Sequence, residues 1–373
     1  MTFIPFELER WQSTWENRVR HNISESGVHP LSIHELLELA GEDLAHLADL
    51  RMVYSQANGT DELRAAIAAL YPGATPDHVL VTVGSAQANY LTCWSLLEPG
   101  NKVAMLAPTY WQTWGLSQNF GADVRPFWCT MERGWEPASD EIGRAIGKDS
   151  RLVVVTNPGN PTGHVLSAGA REQILAATRK ARAWLLADEV YQGAERGGTT
   201  TASFWGSYDK LIVVSGLSKA YGLPGLRIGW IVAPKDIIES LWSHQDYTVI
   251  GPSVASDYLA RCALRVRPKI LERTRGILNT NYPILERWLK GFGGFFDWRP
   301  PETGAICTVR YQHPVTTLDL VERIRAERSV LLVPGEHFGM PSGYLRIGFG
   351  NEPKELEAAL AETKKGLEAV IRD

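Results

Sequence analysis

Between His78 and Ala233 the chain alternates seven short apolar runs with amphipathic or turn-rich segments. The runs are His78–Val83, Lys102–Ala107, Asp123–Trp128, Arg151–Thr156, Trp184–Asp188, Lys210–Ser215 and Ile228–Ala233. Apolar runs of roughly 4–8 residues bounded by turn residues read as strands, and strands that alternate with helical patterns read as a parallel sheet. Three intervening segments, Gln87–Leu97, Trp111–Phe120 and Leu166–Ala183, space their apolar residues as helices do. The pattern predicts an α/β domain built on a mainly parallel, seven-stranded central sheet. Ligands of such sheets lie beyond the carboxyl ends of the strands, so the loops that follow the runs are where chemistry is expected.

Five of those loops are small or polar in character. Gly84-Ser85-Ala86-Gln87 opens a helix after the first run and can turn backbone N–H groups toward a phosphate. Pro108-Thr109-Tyr110 places an aromatic ring at a strand end. The segment from Asn157 through Asn160 to Gly163, NPGNPTG, is a rigid turn with two amide side chains. The fifth run ends on Asp188, with Glu189 and Tyr191 behind it, and the sixth leads into SGLSKAYGLPGLR, residues 215–227.

Beyond Pro252, a residue suited to the first turn of a helix, a helical tract runs through Arg275 to Lys290. A Gly/Pro-rich stretch at 291–302 follows, then strand-like Ala305–Tyr311, helix-like Thr317–Glu327, apolar Val330–Val333 and Tyr344–Gly348, and a last helix over Pro353–Arg372. This reads as a second, smaller α+β domain. The first 45 or so residues are too few to fold alone and are expected to pack on it. Residues 46–275 would then form the large domain, and residues 1–45 together with 276–373 the small one.

Composition excludes several other readings. With 44% hydrophobic residues and a net charge of −4 carried by interspersed acids and bases, the chain shows neither a nucleic-acid footprint nor a membrane-surface patch. The start, MTFIPFELERWQ, has no basic stretch followed by an apolar one, and no run approaches the roughly 18 apolar residues that span a bilayer. A cytoplasmic location is expected. Cys93, Cys129, Cys262 and Cys307 form no CxxC pair and the histidines no HxxxH or HxH spacing, so no metal site is expected.

Lys219 is the centre of the chemical reading. A lysine amine is a nucleophile only when burial or a nearby cation favours its neutral form. Ser218, Ala220, Gly222, Leu223 and Pro224 offer it little negative charge, and the β-branched run before it reads as a core strand. Such an amine can hold an aldehyde cofactor covalently. If that cofactor is a pyridine, its ring nitrogen stays protonated only against a buried carboxylate, and Asp188 is suited to this. Asn160 and Tyr191 can donate to a phenolic oxygen. Arg227, Ser218 or Ser215, and the amides of Ser85, Ala86 and Gln87 can bind a phosphate. Tyr110 can stack on the ring. Arg346, alternating with apolar neighbours in a strand, can serve as a bidentate carboxylate receptor. Each position also has an ordinary structural explanation, but their order along the chain matches the needs of one cofactor.

These segments resemble those of the pyridoxal-phosphate-dependent aminotransferases of fold type I, class I/II, from about Tyr54 to Arg346. The resemblance implies that Lys219 carries pyridoxal 5'-phosphate and shuttles the Cα proton, with Asp188 on the pyridinium and Asn160 and Tyr191 on the phenolic oxygen. It implies Tyr110 on the ring face, Ser85, Ala86, Gln87, Ser218 and Arg227 on the phosphate, and Arg346 on the substrate α-carboxylate. Tyr54 resembles the tyrosine that reaches the phosphate of a neighbouring subunit, which implies a homodimer with shared active sites. Gly216 departs from the pattern, since many relatives carry Ser or Thr three residues before the lysine.

Among these families the chain is similar to the capreomycidine-synthase-like subgroup in Asn22-Ile23-Ser24-Glu25-Ser26-Gly27-Val28-His29 and in LSKAYGLPGLR. The expected activity is transamination of a free α-amino acid. The alternative is ring closure of a hydroxylated arginine, for which Glu25, Glu7 or Glu9 would face a guanidinium and Gly27 would lie against the substrate. A dinucleotide-binding oxidoreductase is excluded by the lack of GxGxxG after an early strand. A DNA-binding regulator of the same fold is excluded by the short, non-basic N-terminal segment.

Overall fold

The computed structural model describes residues 3–372. It joins all seven apolar runs in one sheet, in the order Val79–Val83, Ile228–Val232, Leu211–Gly216, Trp184–Asp188, Ser150–Thr156, Lys102–Ala107, Asp123–Trp128. Ile228–Val232 is antiparallel to both of its neighbours, and every other pair is parallel. Alternate residues of each strand fall into two separate apolar clusters, Val81, Leu106, Val153 and Val213 on one side and Leu80, Met105, Val154 and Ile212 on the other. Helices Gly84–Leu96 and Lys235–Gln245 cover the second face through Leu91, Leu96, Ile238 and Leu241. Helix Ala168–Ala181 covers part of the first through Ile174. A sheet buried on both faces needs continuous rather than alternating apolar strands, which is why the runs were legible. Each fully buried Val, Leu or Ile contributes about 1.5–3 kcal/mol, so the loops at the carboxyl edge are carried on a stiff platform.

A second sheet is antiparallel throughout, in the order Val333–Pro334, Tyr344–Gly348, Ile306–Tyr311, Phe296–Trp298. The N-terminal segment packs on this part of the molecule. His21–Asn22 pairs in parallel with Val330–Leu331, and helix Glu7–Trp15 is held by Trp11 Nε1 donating to Leu332 O at 2.9 Å. The helix Arg267–Lys290 spans residues 275 and 276.

Two local expectations change. Pro252 does not occupy a first helical turn: the helix runs Val254–Arg265 and its N-cap is Ser253, whose extended backbone (φ −62°, ψ 139°) keeps the proline outside. The stretch 291–302 is not all loop, because Phe296–Trp298 pairs with Ile306–Tyr311, and three residues are too few to leave a periodicity in the sequence. All four cysteines are free and buried. Among the described residues no helix is long and apolar enough to cross a membrane.

Candidate active site

The carboxyl ends of the parallel strands open into a cavity of about 350 Å³, lined by residues from the N-terminal helix, five strand-end loops and Arg346. Lys219 lies three residues past Leu211–Gly216, half-buried and lining the cavity, its amine making no hydrogen bond or ion pair to any described residue. Gly216 pairs with Gly229, and a β-carbon on it would stand 3.0 Å from Ile228 O. The close approach of the neighbouring strand therefore explains a glycine where a hydroxyl residue is usual. Gly27 passes behind the lysine, where a β-carbon would be 3.2 Å from Ser218 O.

Asp188 ends its strand buried, 7% exposed, and takes hydrogen bonds from Asn89 Nδ2 (3.2 Å) and Val190 N (3.2 Å). No described cation forms an ion pair with it, and burial pushes its pKa upward against those two bonds and Lys219. A buried carboxylate so placed is stabilised by any cationic nitrogen brought against it. Asn89 was missed from sequence. It sits on helix Gly84–Leu96 facing the strand end, and nothing local marks it.

On the opposite side Arg346 is 2% exposed. Its Nη1 donates to Asn160 Oδ1 at 2.9 Å, its Nη2 to Ser24 O, and its Nε has no partner. Burial lowers its pKa, and no carboxylate pairs with it. Here is a buried cation without a counter-ion, the complement of Asp188. Tyr191 Oη donates to Ser26 Oγ at 2.8 Å, and Gln12 Nε2 donates to Ser24 O (3.0 Å) and Ser24 Oγ (3.1 Å). The segment Ser24–Gly27 is thus tied into the cavity wall.

A third uncompensated charge is Arg227, whose guanidinium donates to Pro224 O (3.0 Å) and Ser218 Oγ (3.5 Å). It lies over the start of helix Gly84–Leu96, where a β-carbon on Gly84 (φ +76°) would meet Arg227 Nη2 at 2.4 Å. Ser85 and Ala86 line the cavity beneath it. The close fit of Gly229 against Ser85 N, 2.3 Å from an imagined β-carbon, seats this helix end directly on the sheet. A guanidinium, a helix N-terminus and a serine hydroxyl make a dianion cradle.

The mouth of the cavity is acidic. Glu9, Glu16 and Glu25 all line it. Burial, then Glu25 and Glu9, push the Glu16 carboxyl above its usual value, with Lys219 opposing. Tyr110 Oη donates to Glu9 Oε1 at 2.6 Å, and burial followed by Glu9 holds its hydroxyl well above the ordinary phenol range. Three carboxylates converging in this way favour a cation between them.

Of the residues singled out in the sequence, the cavity brings together Lys219, Asp188, Tyr191, Asn160, Tyr110, Ser85, Ala86, Ser218, Arg227, Arg346, Glu25 and Glu9. It leaves others out. Ser215 is buried in the strand with its hydroxyl toward Glu189 O (3.4 Å), so Ser218 is the serine that faces the cradle. The Gln87 side chain turns back to accept from Val83 N (2.6 Å) and donate to Thr248 Oγ1 (2.8 Å). Tyr54 is 88% exposed and outside the cavity. Glu7 is also outside it, 3.8 Å from His337. Gln12, Glu16, Ser26, Asn89 and Thr156 are added by the structure.

The family described as aminotransferase class I and II matches residues 28–362. Capreomycidine synthase of Streptomyces vinaceus is 32% identical over 96% of this chain and 93% of its own length. A pyridoxal-phosphate-dependent aminotransferase from Streptococcus suis superposes with a TM-score of 0.93 at 31% identity, covering 99% of each chain. The pyridoxal-phosphate-dependent cyclase OrfR superposes with a TM-score of 0.89 at 28% identity, covering 100% of this chain and 98% of that one.

Proposed function

This chain belongs to the class I and II aminotransferases and is a pyridoxal-phosphate-dependent enzyme of fold type I, and on that premise we propose that it transfers the amino group of a free α-amino acid with a cationic side chain. The observation that carries the reading is the charge layout of one cavity: an unpaired buried arginine, an unpaired buried aspartate, and three carboxylates at the mouth.

The residues fit the cofactor. Asp188, lacking a cation, would hold the ring N–H, and Asn160 and Tyr191 would donate to the phenolic oxygen. Tyr110 would lie against the ring. Arg227, Ser218 and the Ser85–Ala86 end of the helix would hold the phosphate. Bound pyridoxal phosphate supplies an electron-withdrawing pyridinium that lowers the cost of breaking a bond at Cα. Lys219 would hold the cofactor through Nζ and, once released by the incoming amine, accept the Cα proton and return it as a general acid. Arg346 would take the α-carboxylate through charge-assisted bonds, which fixes the Cα–H bond relative to Lys219. Glu9, Glu16 and Glu25 would receive the side-chain cation. Borohydride reduction should abolish the visible absorption band and leave the cofactor covalently fixed on Lys219, and Lys219→Ala should be inactive. Turnover by the alanine variant would sink this assignment.

A second reading is dehydrative ring closure of a hydroxylated arginine. The acidic mouth and the similarity to capreomycidine synthase and OrfR support it. Mass spectrometry of products from a panel of basic amino acids and hydroxyarginines, with and without a keto acid acceptor, separates the two. A keto acid formed only with acceptor supports transfer, whereas a dehydrated product that keeps its α-nitrogen and needs no acceptor supports closure. Neutral or acidic substrates alone being turned over would refute the cationic side chain.

We also propose a homodimer in which Tyr54 reaches the partner's phosphate cradle. Met52, Val53, Tyr54 and Tyr247 are 84%, 61%, 88% and 85% exposed, and Ser55 Oγ donating to Pro252 O at 2.8 Å holds their two segments side by side. Apolar residues of that size support a contact with a second copy. Sedimentation equilibrium should give twice the chain mass, and Tyr54→Phe should weaken cofactor affinity without dissociating the dimer.

A further inference from the structure

A half-buried ionic clamp lies outside the site described above. His164 Nε2 is 2.9 Å from Glu136 Oε1 and its Nδ1 is 2.7 Å from Glu302 Oε2, with the imidazole 17% exposed. Each carboxylate is itself anchored. Glu136 Oε1 accepts from Ser167 N (2.8 Å), and Glu302 Oε2 from Val165 N (3.0 Å). Both ring nitrogens face carboxylate oxygens, so both must carry protons for both contacts to be hydrogen bonds.

The clamp closes the junction that carries Asn160 and Arg346. His164 O accepts from Gly159 N (2.9 Å), and Gly163 O accepts from Glu302 N (2.8 Å) and Thr303 N (3.0 Å), so the turn 157–163 is strapped to residues 301–303. Thr308 Oγ1 donates to Pro161 O at 2.7 Å, and Thr308 is the strand partner of Arg346. At the far side Arg346 Nη1 donates to Asn160 Oδ1 at 2.9 Å. The clamp, the turn and the arginine form one connected path. Only its first link contains an imidazole, the side chain whose ordinary pKa lies nearest neutrality.

We propose that His164 is a positioning residue: held between Glu136 and Glu302, it keeps the 157–163 turn against residues 301–308, so that Asn160 orients Arg346 for a carboxylate, and this hold is released when the imidazole loses its second proton. The carboxylate role of Arg346 rests on the reading above; the clamp itself does not.

Glu136 and Glu302 are the charged groups that face the ring, and Arg133 meets Glu136 through its carbonyl oxygen at 3.2 Å. Burial pulls the imidazole's pKa down, but the bonds to Glu302 and Glu136 outweigh it and leave the pKa above the ordinary 6.5. The stabilisation is therefore complete below that ordinary value and is lost as pH rises through the raised one.

The test compares wild type, His164→Gln and Glu302→Gln as holoenzymes at about pH 6 and about pH 9. Hydrogen exchange of peptides covering 157–166 and 301–308 is measured, and L-arginine affinity is followed through the visible cofactor band. At the lower pH both variants should exchange faster in these peptides and bind L-arginine about 3- to 10-fold more weakly. At the higher pH the wild type should converge on them. A ratio that is the same at both pH values marks a merely structural role, and no difference at the lower pH overturns the clamp. If L-arginine gives no spectral change, the substrate reading fails while the exchange result still decides the clamp. Glu302 is half-exposed, so Glu302→Gln carries the test should His164→Gln not fold.

Discussion

Gly84→Ala separates backbone strain from cofactor binding. Gly84 has φ +76°, and a β-carbon there would lie 2.4 Å from Arg227 Nη2 and 3.1 Å from its Cζ. A left-handed alanine costs about 1–3 kcal/mol of stability. The guanidinium must also move out of the cradle, and losing one charge-assisted hydrogen bond to a phosphate costs about 1.5–3 kcal/mol. That converts to cofactor binding weaker by about 10- to 150-fold. Gly100→Ala is the control, because Gly100 has φ +88° with nothing within 4 Å of its imagined β-carbon. It should show the stability loss alone. The assay is titration of the apoproteins with pyridoxal phosphate at constant pH, read by visible absorbance, alongside urea unfolding of the same preparations. If Gly84→Ala binds cofactor as tightly as Gly100→Ala, Arg227 and the helix start do not form the cradle and the assignment of that end of the cavity is wrong.

Arg346→Gln should raise KM for the amino acid about 10- to 150-fold, the value of a charge-assisted pair, with a smaller effect on kcat; an unchanged KM would remove Arg346 as carboxylate receptor. Glu189, whose Oε1 accepts from Phe204 N at 2.7 Å and whose Oε2 is unpartnered, is pushed by burial to about 7 from the ordinary 4.5. Because the folded state then binds the proton more tightly, its contribution to stability is greatest below about pH 4.5 and declines as pH rises through about 7. Glu189→Gln should flatten that part of the pH–stability profile, and a variant with the wild-type slope in urea titrations between those pH values would refute the burial argument.

The large sheet was legible from residues alone, because strands buried on both faces must be apolar throughout and loops beyond their carboxyl ends must be polar to do chemistry. For the same reason Lys219, Asp188, Asn160, Tyr110 and the Ser85–Ala86 turn could be named from their positions after strands, and the cavity gathers them all. Other parts depended on distances the sequence does not encode. Ser215 and Ser218 are chemically alike and three residues apart. Only the strand pairing shows one locked toward Glu189 O and the other free to line the cavity. Gln12, Glu16 and Ser26 come from the N-terminal segment, brought to the site by His21–Asn22 pairing with Val330–Leu331, a two-residue contact without a periodic signature. His164, Glu136 and Glu302 are ordinary loop residues until the fold brings each carboxylate within 3 Å of the imidazole. Local periodicity and strand-end position determined the sheet and the cofactor residues. Packing between separate segments decided the acidic mouth, the partners of Arg346 and the clamp, since those contacts depend on where elements meet and not on what each element is.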